Sequence, residues 1–196
     1  ARALVALGAV YELKEQPEEA LKSFEGGMEL ATRIGDLGLQ AETWGRIGLF
    51  HTEGERYDPA VAAYNQSIDM WKIIGDPTNE ARSLAELAFV YGDSDDEEQL
   101  EAHFTQALGV AERIRDSALT SNLYERLGRY HRENDDYELA YETYQQALTY
   151  IDPNDSQEAK ARIQRDIAFT LVDLDQREDA VDWLTEALKS ADEVDA

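Results

Sequence analysis

Written in rows of forty, the chain sets like residues in columns through five rows without a gap. One column reads Leu7, Ile47, Leu87, Leu127, Ile167, and the next reads Gly8, Gly48, Ala88, Gly128, Ala168. Three places on stand Tyr11, His51, Tyr91, His131 and Leu171. Later columns hold Ala20, Ala60, Leu100, Ala140, Ala180, then Phe24, Tyr64, Phe104, Tyr144, Leu184. The last clear pair is Gly27, Ser67, Ala107, Ala147, Ala187, followed by Met28, Ile68, Leu108, Leu148, Leu188. A period kept over 196 residues restricts the chain to repeat architectures, in which one supersecondary unit stacks on the next. The repeats are 1–40, 41–80, 81–120, 121–160 and 161–196.

Each repeat carries two helical patterns. Leu4, Leu7, Val10 and Tyr11 recur at spacings of three and four, as do Ala20, Leu21, Phe24, Gly27 and Met28. Small residues at places 8, 20 and 27 let helix backbones approach, and the ring at 24 fills the space between. Only four Pro and twelve Gly occur, which favours long helices over a turn-rich β fold. Asp58, Asp76, Asp116, Asp136 and Ser156 stand where helix N-caps or first-turn acids are expected. Pro17 and Pro77 suit a first helical turn. The expected fold is all-α: an alpha-alpha superhelix, or solenoid, of five tandem helix-turn-helix repeats, with ten antiparallel helices in one right-handed domain 1–196. Leu100, where other repeats have Ala, is expected to push its helix pair apart or shift its register. The run from Leu4 to Val10 is too apolar for a terminal helix, since solenoid ends need polar caps. Another helix preceding Ala1, or a second chain packed there, is the expectation.

The spacing Trp44-x-x-Ile47-Gly48-x-x-His51, followed by Ala60-x-x-x-Tyr64, resembles the tetratricopeptide repeat (TPR) signature over essentially the whole chain. The period is forty rather than about thirty-four, the closing Pro is missing apart from a shifted Pro153, and Gln164 stands where a large apolar residue is usual. Longer repeats with Ile34-Gly35-Asp36 and Ile74-Gly75-Asp76 junctions look like those of kinesin light chains and bacterial signalling regulators. The extra residues are expected to lengthen each helix by about one turn or less.

Charge narrows the function. There are 18 Lys+Arg against 42 Asp+Glu, a net charge of −24. Nucleic acid and anionic membrane surfaces both require a basic face, so neither is expected as a partner. Arg outnumbers Lys by 13 to 5, and Cys is absent. Many acids, few Lys and no Cys resemble proteins of salt-accumulating halophiles. Without Cys there is no disulfide, thiolate zinc site or thiol catalysis. The apolar start reads as a domain excerpt rather than a signal peptide, and a cytoplasmic location is expected.

No catalytic constellation stands out, no cofactor or metal is expected, and the chain reads as a non-enzyme. His51 and His131 occupy the column of Tyr11 and Tyr91, which makes them ring substitutes in a packed interface. The run Asp93-Ser94-Asp95-Asp96-Glu97-Glu98 fails the calcium-loop pattern, with Glu98 where Gly is required and Phe104 where Glu is required. It reads as a solvated turn leading into a helix.

The resemblance implies a concave groove lined by places 2, 5, 6, 9 and 12 of each repeat. These hold Arg2, Arg46, Arg82, Arg126, Arg129, Arg132, Arg162 and Arg165 against Glu12, Glu42, Glu86, Glu125 and Asp166, a local net of +3. Adding place 13 brings in Glu53, Asp93, Glu133 and Asp173 and turns the sum to −1. Glu42/Arg46, Arg82/Glu86, Glu125/Arg129 and Arg162/Asp166 are spaced for pairing within a helix, each worth about 0.2–0.5 kcal/mol. Arg126 and Arg165 have no acid three or four residues away and lie on successive first helices. The expected site is a groove for a protein or peptide segment, acidic and partly apolar. Arg126 and Arg165 hold a carboxylate, Asn122 bonds the backbone, Phe89 and Phe169 are anchors, and Arg82, Arg129 and Arg162 complete the wall. The carboxylate clamp of chaperone-tail binders is not matched, because Val5 and Ala9 stand where Lys and Asn would be expected. The alternatives are a sensor or regulatory repeat domain of a larger signalling or transcription-regulatory protein, or a self-association module forming a homodimer through exposed repeat ends.

Overall fold

The computed structural model describes residues 1–151 and 157–192. Ser156 and Pro153 lie outside them. Among the described residues there are ten helices and no strand. They are α1 (Arg2–Glu12), α2 (Pro17–Ile34), α3 (Leu37–Glu53), α4 (Tyr57–Ile74), α5 (Pro77–Asp93), α6 (Glu97–Ile114), α7 (Ser117–Glu133), α8 (Tyr137–Thr149), α9 (Gln157–Asp173) and α10 (Arg177–Asp192). The sequence rows therefore fall as two helices per repeat, with full-length members of 17 and 18 residues such as α3 and α4. The chain forms two compact units, Ala1–Val110 and Ala111–Ala196. In the first, α1 packs on α2, α2 on α3, α3 on α4 and α4 on α5; in the second, α7 packs on α8, α8 on α9 and α9 on α10.

Local chemistry sets the boundaries. The Asp76 and Asp116 carboxylates accept from the backbone N–H of Asn79 and Leu119, three residues on, and Asp36 does the same for Leu39. Asp58 lies in the first turn of α4, and Asp136 caps α8 without a side-chain bond. Pro17 and Pro77 open α2 and α5. Gly35 and Gly75 end α2 and α4 in the left-handed region, at φ of 69° and 77°, and Arg115 takes the same conformation after α6. Between the two helices of each repeat an acid adopts positive φ: Glu15, Glu55, Asp95, Asp135 and Asp175. The following N–H closes the turn on a carbonyl five residues back, as in Gln16 to Tyr11 and Arg56 to His51.

Leu100 does not shift the register. Asp96 N–H closes on the Tyr91 carbonyl at 2.8 Å, as its counterparts do in other repeats, and Leu100 is buried. The acidic run from Asp93 to Glu98 is an exposed turn, with the Asp96 carboxylate accepting from Gln99 N–H.

The ring column meets the glycine column directly. A Cβ on Gly8, Gly48 or Gly128 would stand 2.5, 2.8 and 2.8 Å from the rings of Phe24, Tyr64 and Tyr144. Each ring thus occupies the place of the missing side chain. Phe24 joins Ala20, Ile47, Phe50 and Ala63 in the core of the first unit. Tyr144 joins Ala140, Ala147, Ile163, Ile167 and Leu171 in the second. Gln164, unusual for its place, is buried and accepts from the Ser190 hydroxyl at 2.9 Å. No helix among the described residues is long and apolar enough to cross a membrane.

Candidate functional site

In the second unit, α7 and α9 are successive first helices, and α7 carries Asn122, Glu125, Arg126, Arg129 and Arg132 toward one side at helical spacing. Glu125 takes the place held by Gly45 in α3 and Ala85 in α5. Its side chain is only 2% exposed, and it is held from both helices. Arg162 of α9 donates through Nε and Nη2, both at 2.7 Å, and Arg129 of α7 donates at 3.3 Å. That bidentate hydrogen bonding holds the Arg162 guanidinium above its ordinary pKa, outweighing desolvation.

The pairing differs from the one spacing suggests. Glu125/Arg129 forms as expected, but Arg162 turns to Glu125, and Asp166 is taken by its neighbour Arg165 through two hydrogen bonds of 3.0 and 2.8 Å. Arg132 reaches Asp173 of α9 at 2.8 Å and lies 5.8 Å from the centre of the Phe169 ring. These cross-helix contacts span about one repeat of sequence, beyond the reach of a helical-spacing argument.

Two cavities flank the Glu125 bracket. One, of about 440 Å³, is lined by Arg129, Arg132, Tyr137, Tyr144, Arg165 and Asp173 among others. Arg129 and Arg165 are half exposed at its rim, and Phe169 is exposed beside it. Burial pushes the Tyr144 phenol well above the usual tyrosine range, so it stays a neutral donor. The other cavity, of about 590 Å³, is lined by Arg115, Ser117, Ser121, Asn122, Tyr150 and Arg162 among others. Tyr150 stacks on Tyr124 at 5.6 Å.

The predicted site residues are thus distributed. Asn122 and Arg162 line the larger cavity, Arg129 and Arg165 the smaller, Phe169 lies beside the latter, and Arg126 is half-buried on α7. Arg82 and Phe89 belong to the first unit. Arg82 lines a cavity of about 320 Å³ with Glu42, Arg46, Leu49 and Glu86, and the half-buried Phe89 packs on Phe104 at 6.0 Å. Asp173 had appeared only as a boundary acid, and Glu125, expected to pair with Arg129, was missed as the partner of Arg162.

His51 and His131 are half-buried, each edge-on to its chain neighbour, Phe50 at 5.4 Å and Tyr130 at 5.8 Å. His103 stacks on Tyr91 at 5.0 Å. Burial, then the Arg56 charge, pushes the His51 pKa down. No cluster of His, Cys, Asp or Glu among the described residues is arranged to hold a metal ion.

Comparison with solved structures gives many similar folds. BtubC (BKLC) from P. vanneervenii matches with a TM-score of 0.70 at 14% identity, over 98% of this chain and 80% of that one. The nearly identical TPR-like repeats of a putative kinesin light chain from Podosopora anserina match with a TM-score of 0.67 at 15% identity, over 98% and 95%. The Rap conjugation gene regulator of the plasmid pLS20, in complex with the Phr* peptide, matches with a TM-score of 0.69 at 18% identity, over 98% of this chain and 53% of that one. No curated protein matches by sequence. The tetratricopeptide repeat family model matches residues 1–73 and 79–152, and the chain belongs to the tetratricopeptide repeat family.

Proposed function

We propose that the chain is a non-enzymatic scaffold whose first-helix face in the second unit binds a segment of another protein, acidic with an apolar anchor. The observation that carries this reading is the smaller cavity, where the half-exposed Arg129 and Arg165 stand at the rim and Phe169 is exposed beside it. Arg165 is half exposed while its partner Asp166 is buried, so Arg165 keeps Asp166 through Nε and Nη2 and offers its remaining outward N–H donors to a ligand carboxylate. A ligand carboxylate bound in this way leaves both the Asp166 pair and the buried Glu125 bracket in place. Arg126 supplies a second cation on α7, Asn122 and Arg162 extend the wall along the larger cavity, and Phe169 takes an apolar side chain. The peptide held by the pLS20 Rap regulator, a protein of similar fold, is consistent with this use of the architecture. In the first unit, Arg82 lines a separate cavity with Arg46, Glu42 and Glu86, the half-buried Phe89 packs on Phe104, and the proposed site is confined to the second unit.

The test is fluorescence anisotropy with acidic and charge-neutral versions of a peptide library. Acidic peptides with one aromatic or aliphatic residue should be preferred, and Arg126→Ala plus Arg165→Ala should weaken them at least tenfold. Binding that survives the double variant overturns the reading.

A further inference from the structure

Tyr144 stands in the ring column of its repeat, where Phe24 and Phe104 do the same packing without a hydroxyl and Leu184 does it without a ring. The fold therefore asks for bulk at this place and not for a phenol oxygen. The side chain is 1% exposed, with its ring seated on Gly128. Its hydroxyl makes no hydrogen bond to any described residue, whereas that of Tyr137, which lines the same cavity, donates to Asp135. An unpaired polar group at such depth works against folding, because it gives up water and gains nothing in return.

The hydroxyl belongs to the smaller cavity. Tyr144 lines that space of about 440 Å³ together with Arg129, Arg132, Arg165, Asp166 and Asp173. Besides burial, the charges that act on the phenol are those of Asp166, Arg129, Arg132 and Glu125, and the first three line the cavity. The oxygen therefore lies at the cavity floor. The wall above it has donors to spare. Arg129 gives one N–H to Glu125, Arg132 gives one to Asp173 and Arg165 gives two to Asp166, which leaves part of each guanidinium fork unused. Burial first, and the Asp166 charge second, oppose ionisation of the phenol, so it too enters as a donor. The group that such a space lacks is an acceptor.

We propose that a side-chain carboxylate of the bound segment enters the smaller cavity and accepts a hydrogen bond from the Tyr144 hydroxyl at its floor, with Arg129 and Arg165 donating from the rim. This rests on the reading of the second unit as an acidic-peptide site, and adds to it the group that tells a carboxylate from its amide. The guanidinium charges attract any anion. The hydroxyl has one position, fixed by the ring packed on Gly128, and rewards only an acceptor that reaches it. An amide carbonyl accepts more weakly than a carboxylate, and its NH₂ brings a donor into a donor-lined space.

Tyr144→Phe removes the oxygen and keeps the ring on Gly128. Urea unfolding should find this variant at least as stable as the unaltered chain. A loss of stability would mean that the hydroxyl has a partner within the fold, and would overturn the proposal. Fluorescence anisotropy then compares the tightest acidic peptide of the library with its counterpart carrying Gln for Glu and Asn for Asp. Tyr144→Phe should weaken the acidic peptide about tenfold and the amide counterpart only about threefold, since hydrogen bonds to a charged acceptor are the stronger. The acid-over-amide ratio should therefore fall, which a general loosening of the groove would not produce. Tyr64→Phe, in the same column of the first unit, should leave that ratio as it is. A ratio that Tyr144→Phe leaves unchanged, or that Tyr64→Phe lowers as far, overturns this proposal alone when Arg126→Ala plus Arg165→Ala still weakens the acidic peptide. Acidic peptides that fail to bind, or that bind the double arginine variant equally well, overturn the acidic-peptide reading and this proposal with it.

Discussion

The Glu125 carboxylate accepts two hydrogen bonds of 2.7 Å from the Arg162 guanidinium, tying α7 to α9 across 37 residues of chain. The column in which Glu125 stands needs no charge, since Gly45 and Ala85 serve it in α3 and α5. The two partners are therefore unequal. Arg162→Ala leaves a buried carboxylate with Arg129 alone, at a cost of about 2–4 kcal/mol, slightly under the usual loss of a fully buried partner. Glu125→Ala removes the need for the bracket and should cost about 1 kcal/mol or less. In the double variant the Arg162 penalty should vanish, giving a coupling of about 2 kcal/mol in a urea double-mutant cycle. Additive losses would mean that the bracket carries no such asymmetry.

Gly128 lies under the Tyr144 ring, and an added Cβ would meet ring carbons at 2.8 and 2.9 Å. Two effects oppose each other in Gly128→Ala. The helix gains about 0.5–1 kcal/mol from replacing a mid-helix glycine, and overpacking costs about 1–3 kcal/mol. Because Tyr144 is buried, the ring has little room to move, and a net loss of about 1 kcal/mol is expected by chemical denaturation. Tyr144→Leu should restore tolerance of alanine at 128, as repeat five already pairs Ala168 with Leu184 in the same columns.

The packing of Gly128 on Tyr144 was legible because both belong to columns that recur through the repeats, so one spacing argument covers several copies. Asp76 and Asp116 were legible as caps because a cap acts over three residues. The Glu125–Arg162 bracket was not. Helical spacing offers Arg162/Asp166 just as readily, and only the approach of α7 to α9 decides between them. The groove was legible as a set of rows and not as a set of partners. Asp173, a boundary acid in sequence, proves to hold Arg132. The positive-φ acids were readable in principle: Glu15, Glu55, Asp95, Asp135 and Asp175 form an unbroken acidic column. Acids are so common here that the column did not stand out.

Arg115 adopts φ of 58° where α2 and α4 end in Gly35 and Gly75. A side chain in the left-handed region costs about 1–2 kcal/mol, and glycine returns part of that gain through the greater entropy of its unfolded chain. Arg115→Gly should therefore stabilise the protein by about 0.5–1 kcal/mol. Asp135→Gly, at φ of 64°, should gain less, because Asp tolerates this region better than Arg. Thermal unfolding of the two variants side by side tests the order, and a larger gain at 135 would contradict it.

Glu12, near the end of α1, has a buried carboxylate oxygen without a hydrogen-bond partner. Burial first and the Glu53 charge second raise its pKa above 4.5, with Arg46 acting the other way. A carboxyl raised in the folded state favours folding most when protonated. Its contribution is thus fully present below the unfolded value near 4.5 and is lost as pH climbs through the higher folded value. Glu12→Gln, which keeps the shape without the charge, should raise stability at pH 7 and leave it unchanged near pH 4, measured by chemical denaturation at the two pH values. Equal effects at both pH values would show that charge at this position is immaterial.

The net charge of −24 also sets a salt response for the single chain. Self-repulsion destabilises the compact state most where screening is weakest, so melting temperature should climb with KCl. For a chain of this size each kcal/mol moves the midpoint by about 2–4 °C, and a rise of about 5 °C or more between 0.05 and 2 M KCl is expected. The shape of the curve separates two causes. Screening acts mostly below about 0.5 M, where the Debye length falls fastest, whereas strengthened burial of apolar surface grows steadily with salt. A steep early rise is expected, measured at a few micromolar so that association between chains contributes little. A melting temperature that is flat below about 0.5 M would mean that the acidic surface is not a source of instability in this fold.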